Sequence, residues 1–289
     1  MRMDPLDFRA PSARGFQFMG DALPSLTVRD ANGALEVNWA TCEEDVRAAQ
    51  RLRHEVFAKE MGARLNPVGV AQGLDVDRFD AFCDHLLVRE GRDEDDQPGR
   101  LVGTYRVLTP TAARRAGGFY IDSEFDLAPV GHLRAHAAEL GRACVHSAWR
   151  SGGVIMVLWR ALGSYMLARQ LDTMIGCASI GLGDDGCLAN KVWQRLQHTH
   201  MVAAPWQVRP RIALPLRDDG PFDGSLLATA DQARFLADTP ALLKGYLRCG
   251  ARLMGPPALD ASFNTADLPI MLRMDELTPR YRKHFLGGQ

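Results

Sequence analysis

The chain has 289 residues, 46% of them hydrophobic and 24% charged, with a net charge of -1. That balance describes an ordinary globular protein and gives no support to nucleic-acid binding, which calls for a basic surplus. The longest apolar stretch, Gly152 to Ala168, is broken by Arg160 and falls short of the roughly 20 residues that span a bilayer.

Locally the charge is uneven. Between Val130 and Leu171 stand five arginines (Arg134, Arg142, Arg150, Arg160, Arg169), no lysine and one acid, Glu139, a net +4. A solvated helix face gives such a count, and so does a rim suited to an acidic carrier protein or anionic headgroups. Six cysteines (Cys42, Cys83, Cys144, Cys177, Cys187, Cys249) show neither C-x-x-C nor zinc-ligand spacing, so no metal site is expected. With no apolar signal core at Met1 to Phe8, a reducing cytoplasm is the expected compartment.

In chain order, residues 1–33 lack periodicity and read as an N-terminal extension. Ala34 to Ala40 reads as a strand. Thr41 then reads as the N-cap of a helix running to about Lys59, with Glu43, Glu44 and Asp45 in its first turn. Gly62 to Asp80 is a long loop holding Asp75, Asp77 and Asp80. His85 to Arg89 and Leu101 to Leu108 form a hairpin across an acidic turn. Ala137 to Val145 is a central strand, followed by an Arg150-x-Gly152-Gly153 turn and a helix from Val154 to Ala168. Thr173 to Ile180 is a strand, Asn190 to His200 a helix, and Val202 to Leu216 a proline-interrupted strand pair. A helix (Asp231 to Leu247), a Gly/Pro-rich turn, a strand (Leu268 to Met274) and a short basic helix near Phe285 complete the chain. This order predicts an α+β sandwich with a mixed sheet: a core over 34–216 and a C-terminal appendage over 217–289.

Chemistry concentrates around Glu139-x-x-Arg142 and the turn that follows. A strand, a glycine turn and a helix N-terminus gather backbone N–H groups that can hold a phosphate, which makes Arg150, Gly152 and Gly153 the phosphopantetheine candidates. A plain helix-start turn is the competing account. Glu139 is a candidate general base, because a carboxylate in a cleft can take a proton from a nucleophile; the alternative is an edge charge neutralised by Arg142. In a regular strand Arg142 would face away from Glu139, and a β-bulge would bring both to one cleft. Arg142 would then pair with its neighbours or hold a substrate carboxylate. Cys144 and His146 share a strand face but have no orienting acid, so covalent catalysis is not expected.

Several motifs carry a family resemblance. Arg53-His-Glu-Val-Phe57-Ala-Lys-Glu60, Asp77-Arg-Phe-Asp80, Leu101-Val-Gly-Thr-Tyr-Arg106 and Glu139-x-x-Arg142 resemble the acyl-carrier-protein-dependent branch of the GNAT acyltransferases. Glu139 to Arg150, Gly176 to Ser179, Gly245 to Gly250, Ala258 to Leu268 and Arg280 to Phe285 resemble the bacterial L-ornithine Nα-acyltransferases of ornithine-lipid synthesis. Ser147-Ala148-Trp149 departs from that family's usual Pro-x-Tyr.

The resemblance implies a GNAT-like sheet and transfer of a 3-hydroxyacyl group from acyl carrier protein to the ornithine α-amine. It implies no bound cofactor, since the phosphopantetheine thioester is the donor substrate. Asp77 and Asp80 would take a side-chain ammonium, with turn-forming as their alternative role, and Asp75 is read as a turn former. Arg53 and Arg106 would steady the acidic loop or touch phosphopantetheine, Phe57 would line an acyl channel, and backbone N–H groups near residues 144–147 would meet the oxyanion. The partners implied are carrier protein, a small amino acid and a peripheral inner-membrane contact. Lysine, glutamine or glycine as acceptor, a homoserine-lactone-type synthase and a non-catalytic GNAT-like binding protein remain the alternatives.

Overall fold

Leu101–Leu108 (β4) is buried at every position, and that burial marks it as an interior strand with neighbours on both sides. In the computed structural model, which describes residues 26–30, 33–92, 97–150, 153–215 and 239–286, the chain divides into two units. The first takes the residues up to Phe119, Ala138–Leu171 and those from Lys283; the second takes Tyr120–Ala137 and Asp172–Arg282.

In the first unit, β1 (Leu26–Asp30), β2 (Gly33–Trp39), β3 (Asp84–Glu90), β4 and β6 (Ala137–Val145) pair antiparallel in that order. The predicted hairpin is β3–β4; its acidic tip, residues 93–96, lies outside the described residues. β1 corrects the expected extension of residues 1–33. Leu26–Asp30, in which Leu26 and Val28 alternate with Thr27 and Arg29, takes up the free edge of β2, with Leu26 opposite Val37.

α1 (Glu43–Arg53) and the π-helical turn that follows it together fill the expected helix to about Lys59. α1 begins after Cys42, not Thr41, and Asp45 instead reaches back to accept the Thr41 N–H at 3.0 Å. Beyond Arg53 the chain widens into a π-helical segment, His54–Glu60, a local form frequent at functional sites. The expected loop from Gly62 contains the short helix α2 (Pro67–Val70), and α3 (Pro110–Ala116) follows β4.

α4 (Gly153–Ala168) packs on β2, β3 and β4. Gly103 of β4 makes that approach possible, since a Cβ there would stand 2.5 Å from Val154 Cγ1. Tyr165, fully buried, ties α4 to the start of β3 by donating to Asp84. Gly103 and Arg106 are three residues apart on β4 and so point to opposite faces. α4 covers the first face. The second face carries Arg106 toward α1.

In the second unit, β7 (Thr173–Gly181) pairs antiparallel with β11 (Thr265–Arg273), which also pairs with β9 (Arg252–Leu253) and β10 (Ala258–Asp260). α5 (Cys187–Thr199) and α6 (Ala241–Cys249) belong to this unit, and their Val192, Trp193, Leu196 and Leu243 join Ile180 and Leu268 in its core. The predicted strand pair over 202–216 is not formed. Instead β8 (Arg209–Pro210) pairs with β5 (Phe125–Asp126) and Ala213 makes an isolated antiparallel bridge to Ala258, because prolines at 205, 210 and 215 remove ladder donors from a longer pairing. The start of the helix expected from Asp231 lies outside the described residues. α7 (Pro279–Leu286) closes the described chain. No helix among the described residues is long and apolar enough to cross a membrane.

Candidate active site

Arg53 is the last residue of α1 and is 1% exposed. A guanidinium that deep requires anions, and the long loop after α2 supplies them. Its Nε donates to Asp75 Oδ2 at 2.8 Å, and Nη1 and Nη2 donate to Asp80 Oδ1 and Oδ2, each at 2.9 Å. Arg106, from the interior strand, donates from Nη1 to Asp77 Oδ1 at 2.6 Å and to Asp80 Oδ1 at 2.9 Å. Arg142, from β6, reaches Asp77 Oδ2 at 3.0 Å through Nη2 and stands 3.3 Å from Asp75 Oδ2 through Nε. Three arginines from three elements thus clasp three aspartates from one loop.

The acidic loop is further fixed by Gln50 Nε2, which donates to Asp80 Oδ2 at 2.9 Å, and by the Asp77 N–H, which donates to the same oxygen at 3.2 Å. His85 Nε2–H donates to the Asp80 carbonyl at 3.0 Å, while its buried Nδ1 has no hydrogen-bond partner. Burial, with Arg53 and Arg106 adding to it, pushes the His85 pKa down to about 4, so the ring is neutral.

Burial acts to raise the carboxyl pKa of Asp80, but Arg53 and Arg106 outweigh it and hold the group well below its ordinary 3.8. Asp77 is lowered in the same way, Arg106 being its largest favourable partner. Burial tends to discharge Arg53, and Asp80 and Asp75 reverse that. All three centres therefore stay ionised.

The E-x-x-R spacing is resolved by the bulge. Thr104 pairs with Cys144 and Arg106 with Gly141, so three steps along β6 oppose two along β4. Arg142 sits in the extra residue with φ +51, a left-handed conformation rare for side chains larger than glycine. The bulge aims Arg142 at Asp77 and Asp75. Glu139, 5% exposed, lies opposite Leu108 and close enough to Cys83 to help burial raise that thiol's pKa.

Only Asp77 (18% of its side chain) and Arg142 (11%) show more than a tenth of their surface, so solvent meets the cluster there. Asp80 is different. Its two oxygens accept from Arg53, Arg106, Gln50 and Asp77 N–H, and its side chain is only 3% exposed. Asp75, read from sequence as a turn former, bridges Arg53 and Arg142. Loop aspartates carry no local sign of such long-range pairing.

Phe57 is buried in the π-helical segment. Arg150 bonds Glu60 at 2.6 Å and the Val145 carbonyl at 2.9 Å, and Gly153 opens α4; Gly152 lies outside the described residues. The His146 N–H, counted among the expected oxyanion donors, is taken by the Val102 carbonyl at 2.8 Å. Burial pushes the Cys144 thiol well up, which opposes a nucleophilic role.

A second cluster lies in the other unit. Glu124, Cys177 and Asp267 bring their donor atoms within 4.8 Å of one another, with Tyr120 Oη 3.4 Å from Asp260 Oδ2 beside them. Burial and the adjacent Asp267 push the Glu124 pKa up to about 9, and burial raises Asp267 as well. At neutral pH Glu124 therefore holds a proton. It must lose that proton before it can bind a cation.

Residues 52–160, which include the end of α1, the acidic loop, the hairpin and β6, match the family described as acetyltransferase (GNAT) domain. The fold and the match make the chain a GNAT-type acyltransferase of α+β class. It is 34% identical over 262 residues to the L-ornithine N(alpha)-acyltransferase of Agrobacterium fabrum, covering 89% of this chain and 86% of the relative. To the Rhodobacter capsulatus protein of the same name it is 32% identical over 250 residues, covering 86% and 94%. The chain belongs to the L-ornithine N(alpha)-acyltransferase family. The solved N-acyl amino acid synthase FeeM from uncultured soil microbes superposes with a TM-score of 0.47 at 11% identity, covering 86% of this chain and 96% of that one.

Proposed function

We propose that the protein moves a 3-hydroxyacyl group from the phosphopantetheine thioester of acyl carrier protein to the α-amine of L-ornithine, giving a lyso-ornithine lipid. Family membership supports the acceptor. The observation that carries the site assignment is the bulge at Arg142, which joins the E-x-x-R strand to the buried ionic cluster.

In this reading Glu139 takes a proton from the acceptor ammonium, directly or through one water. The free amine attacks the thioester carbonyl carbon, a C–N bond forms, and the carbonyl oxygen becomes an oxyanion. Collapse breaks the C–S bond. The departing thiolate takes up the proton that the amine gives up. Arg142, one edge open to solvent, contacts the acceptor carboxylate, and Asp77 is the carboxylate placed to meet the side-chain ammonium. Arg53, Arg106 and Asp80 hold that edge in place. Phe57 packs beside the acyl chain, and Arg150 with the α4 N-terminus receives the donor phosphate. The remaining arginines of the band, among them Arg160 and Arg169, with Arg280, Arg282 and Lys283, dock the acidic carrier protein.

The test is thiol release from 3-hydroxyacyl carrier protein across a panel of free amino acids. Ornithine-dependent release, reduced about 100-fold or more in Glu139→Gln, is the expected result. Release with lysine, glutamine or glycine replaces the acceptor. Silence with every amine overturns the catalytic reading.

A further inference from the structure

Five large apolar side chains are reported exposed among the described residues, and three fall in one ten-residue segment: Met61 (49%), Val68 (62%) and Val70 (41%). The segment is built, not loose. The Ala63 N–H donates to the Phe57 carbonyl at 2.9 Å, Asn66 caps α2 through the Val68 N–H at 3.0 Å, and the Leu74 N–H returns to the Gly69 carbonyl at 2.9 Å. Gly69 is buried so tightly that a Cβ would lie 2.7 Å from the Leu74 oxygen. A fixed knuckle therefore holds three apolar side chains in water.

The charges around it are mostly basic. Lys59 and Arg64 are exposed, while the acid beside them, Glu60, is taken by Arg150 at 2.6 Å. One residue after Leu74 the chain enters the ionic cluster at Asp75, whose N–H donates to the Gln50 carbonyl at 3.1 Å. The knuckle and the acidic loop are thus consecutive parts of one segment.

We propose that the Met61–Val70 knuckle is a bilayer-contact surface. Met61, Val68 and Val70 enter the headgroup region of an anionic lipid surface, with Lys59 and Arg64 facing its phosphates. A lipid fits better than a protein. Specific protein interfaces use about 20–30 residues a side, whereas a short apolar knuckle flanked by cations is enough to partition into a headgroup layer. The placement would put an amphiphilic product beside its membrane; only that consequence rests on the proposed function.

The full chain would be co-sedimented with phosphatidylcholine vesicles, with and without phosphatidylglycerol. Thermal melting and thiol release would be followed in parallel. The wild type is expected to bind the anionic vesicles. Met61→Ser/Val68→Ser/Val70→Ser should bind about tenfold or more weakly, and Arg64→Glu should also bind less, with melting and thiol release unchanged for both. Absence of wild-type binding, or undiminished binding by the triple variant, overturns the proposal. It is equally overturned if the triple variant raises the KM for carrier protein and leaves vesicle binding intact, since the surface then belongs to that protein. Vesicle binding without acylation of any amino acid would refute the proposed function and leave this inference standing.

Discussion

The two units each bury a group of carboxylates, and the groups are held in opposite protonation states. In the first unit Asp75, Asp77 and Asp80 are each matched to arginines, and Asp77 and Asp80 are kept below the ordinary carboxyl range. In the second unit Glu124 is surrounded by Asp267 and Asp260, and its pKa rises to about 9. Burial pushes Asp77, Asp80, Glu124 and Asp267 upward. The sign of the net shift is set by whether a guanidinium comes within bonding distance. A buried carboxylate is therefore uninformative about charge until its partners are known, and partners arrive from elsewhere in the chain.

The largest test of that contrast removes a cation. Arg53→Met leaves Asp75 and Asp80 buried against a missing partner, and urea unfolding should show a loss of about 3–5 kcal/mol. A loss below about 1 kcal/mol would mean that the cluster is not structural. Next comes acid. Asp77 and Asp80 bind protons less tightly folded than unfolded, so their stabilisation is present above pH 3.8 and lost as pH falls below it. Melting temperature should fall steeply there in the wild type and less steeply in Asp80→Asn, which starts from a lower value.

Alkali should find the other unit. Folded Glu124 keeps its proton up to about pH 9, whereas the unfolded group releases it near 4.5, so stability declines as pH rises across that window. Glu124→Gln should flatten the decline, and an unchanged slope in thermal melts would break the comparison. The smallest effect is expected at Arg150, whose side chain is 47% exposed and paired with Glu60. Arg150→Ala should change stability by less than about 1 kcal/mol. A raised KM for the acyl donor at constant melting temperature would support its phosphate role.

Much of the first unit was legible in sequence because its signals are local. Short apolar runs with a turn between them set out β3 and β4, and a glycine turn before an apolar run marked α4. Glu139-x-x-Arg142 could be recognised as a pair, but it could be read as one cleft only if a bulge intervened. Residues 202–216 misled because apolar content resembles a strand pair, while prolines withhold the donors that pairing needs. The edge strand β1 was missed, since its alternation of Leu26 and Val28 is too short to stand out and the open edge of β2 supplies the rest. Asp75 and Glu124 were missed for one reason. Neither has a partner within its own element.

By itself the sequence determined the order of the main elements, the class of fold, the arginine-rich band and the spacing of the Glu139-x-x-Arg142 pair. These follow from period, turn chemistry and motif spacing, all properties of neighbours along the chain. Tertiary structure alone decided which aspartate is sealed and which is open, that Arg142 bends back toward the cluster, and which carboxyls keep their protons. Each depends on low-dielectric contacts between residues such as Arg53 and Asp80, 27 positions apart, where burial makes a charge costly and a single partner reverses the balance.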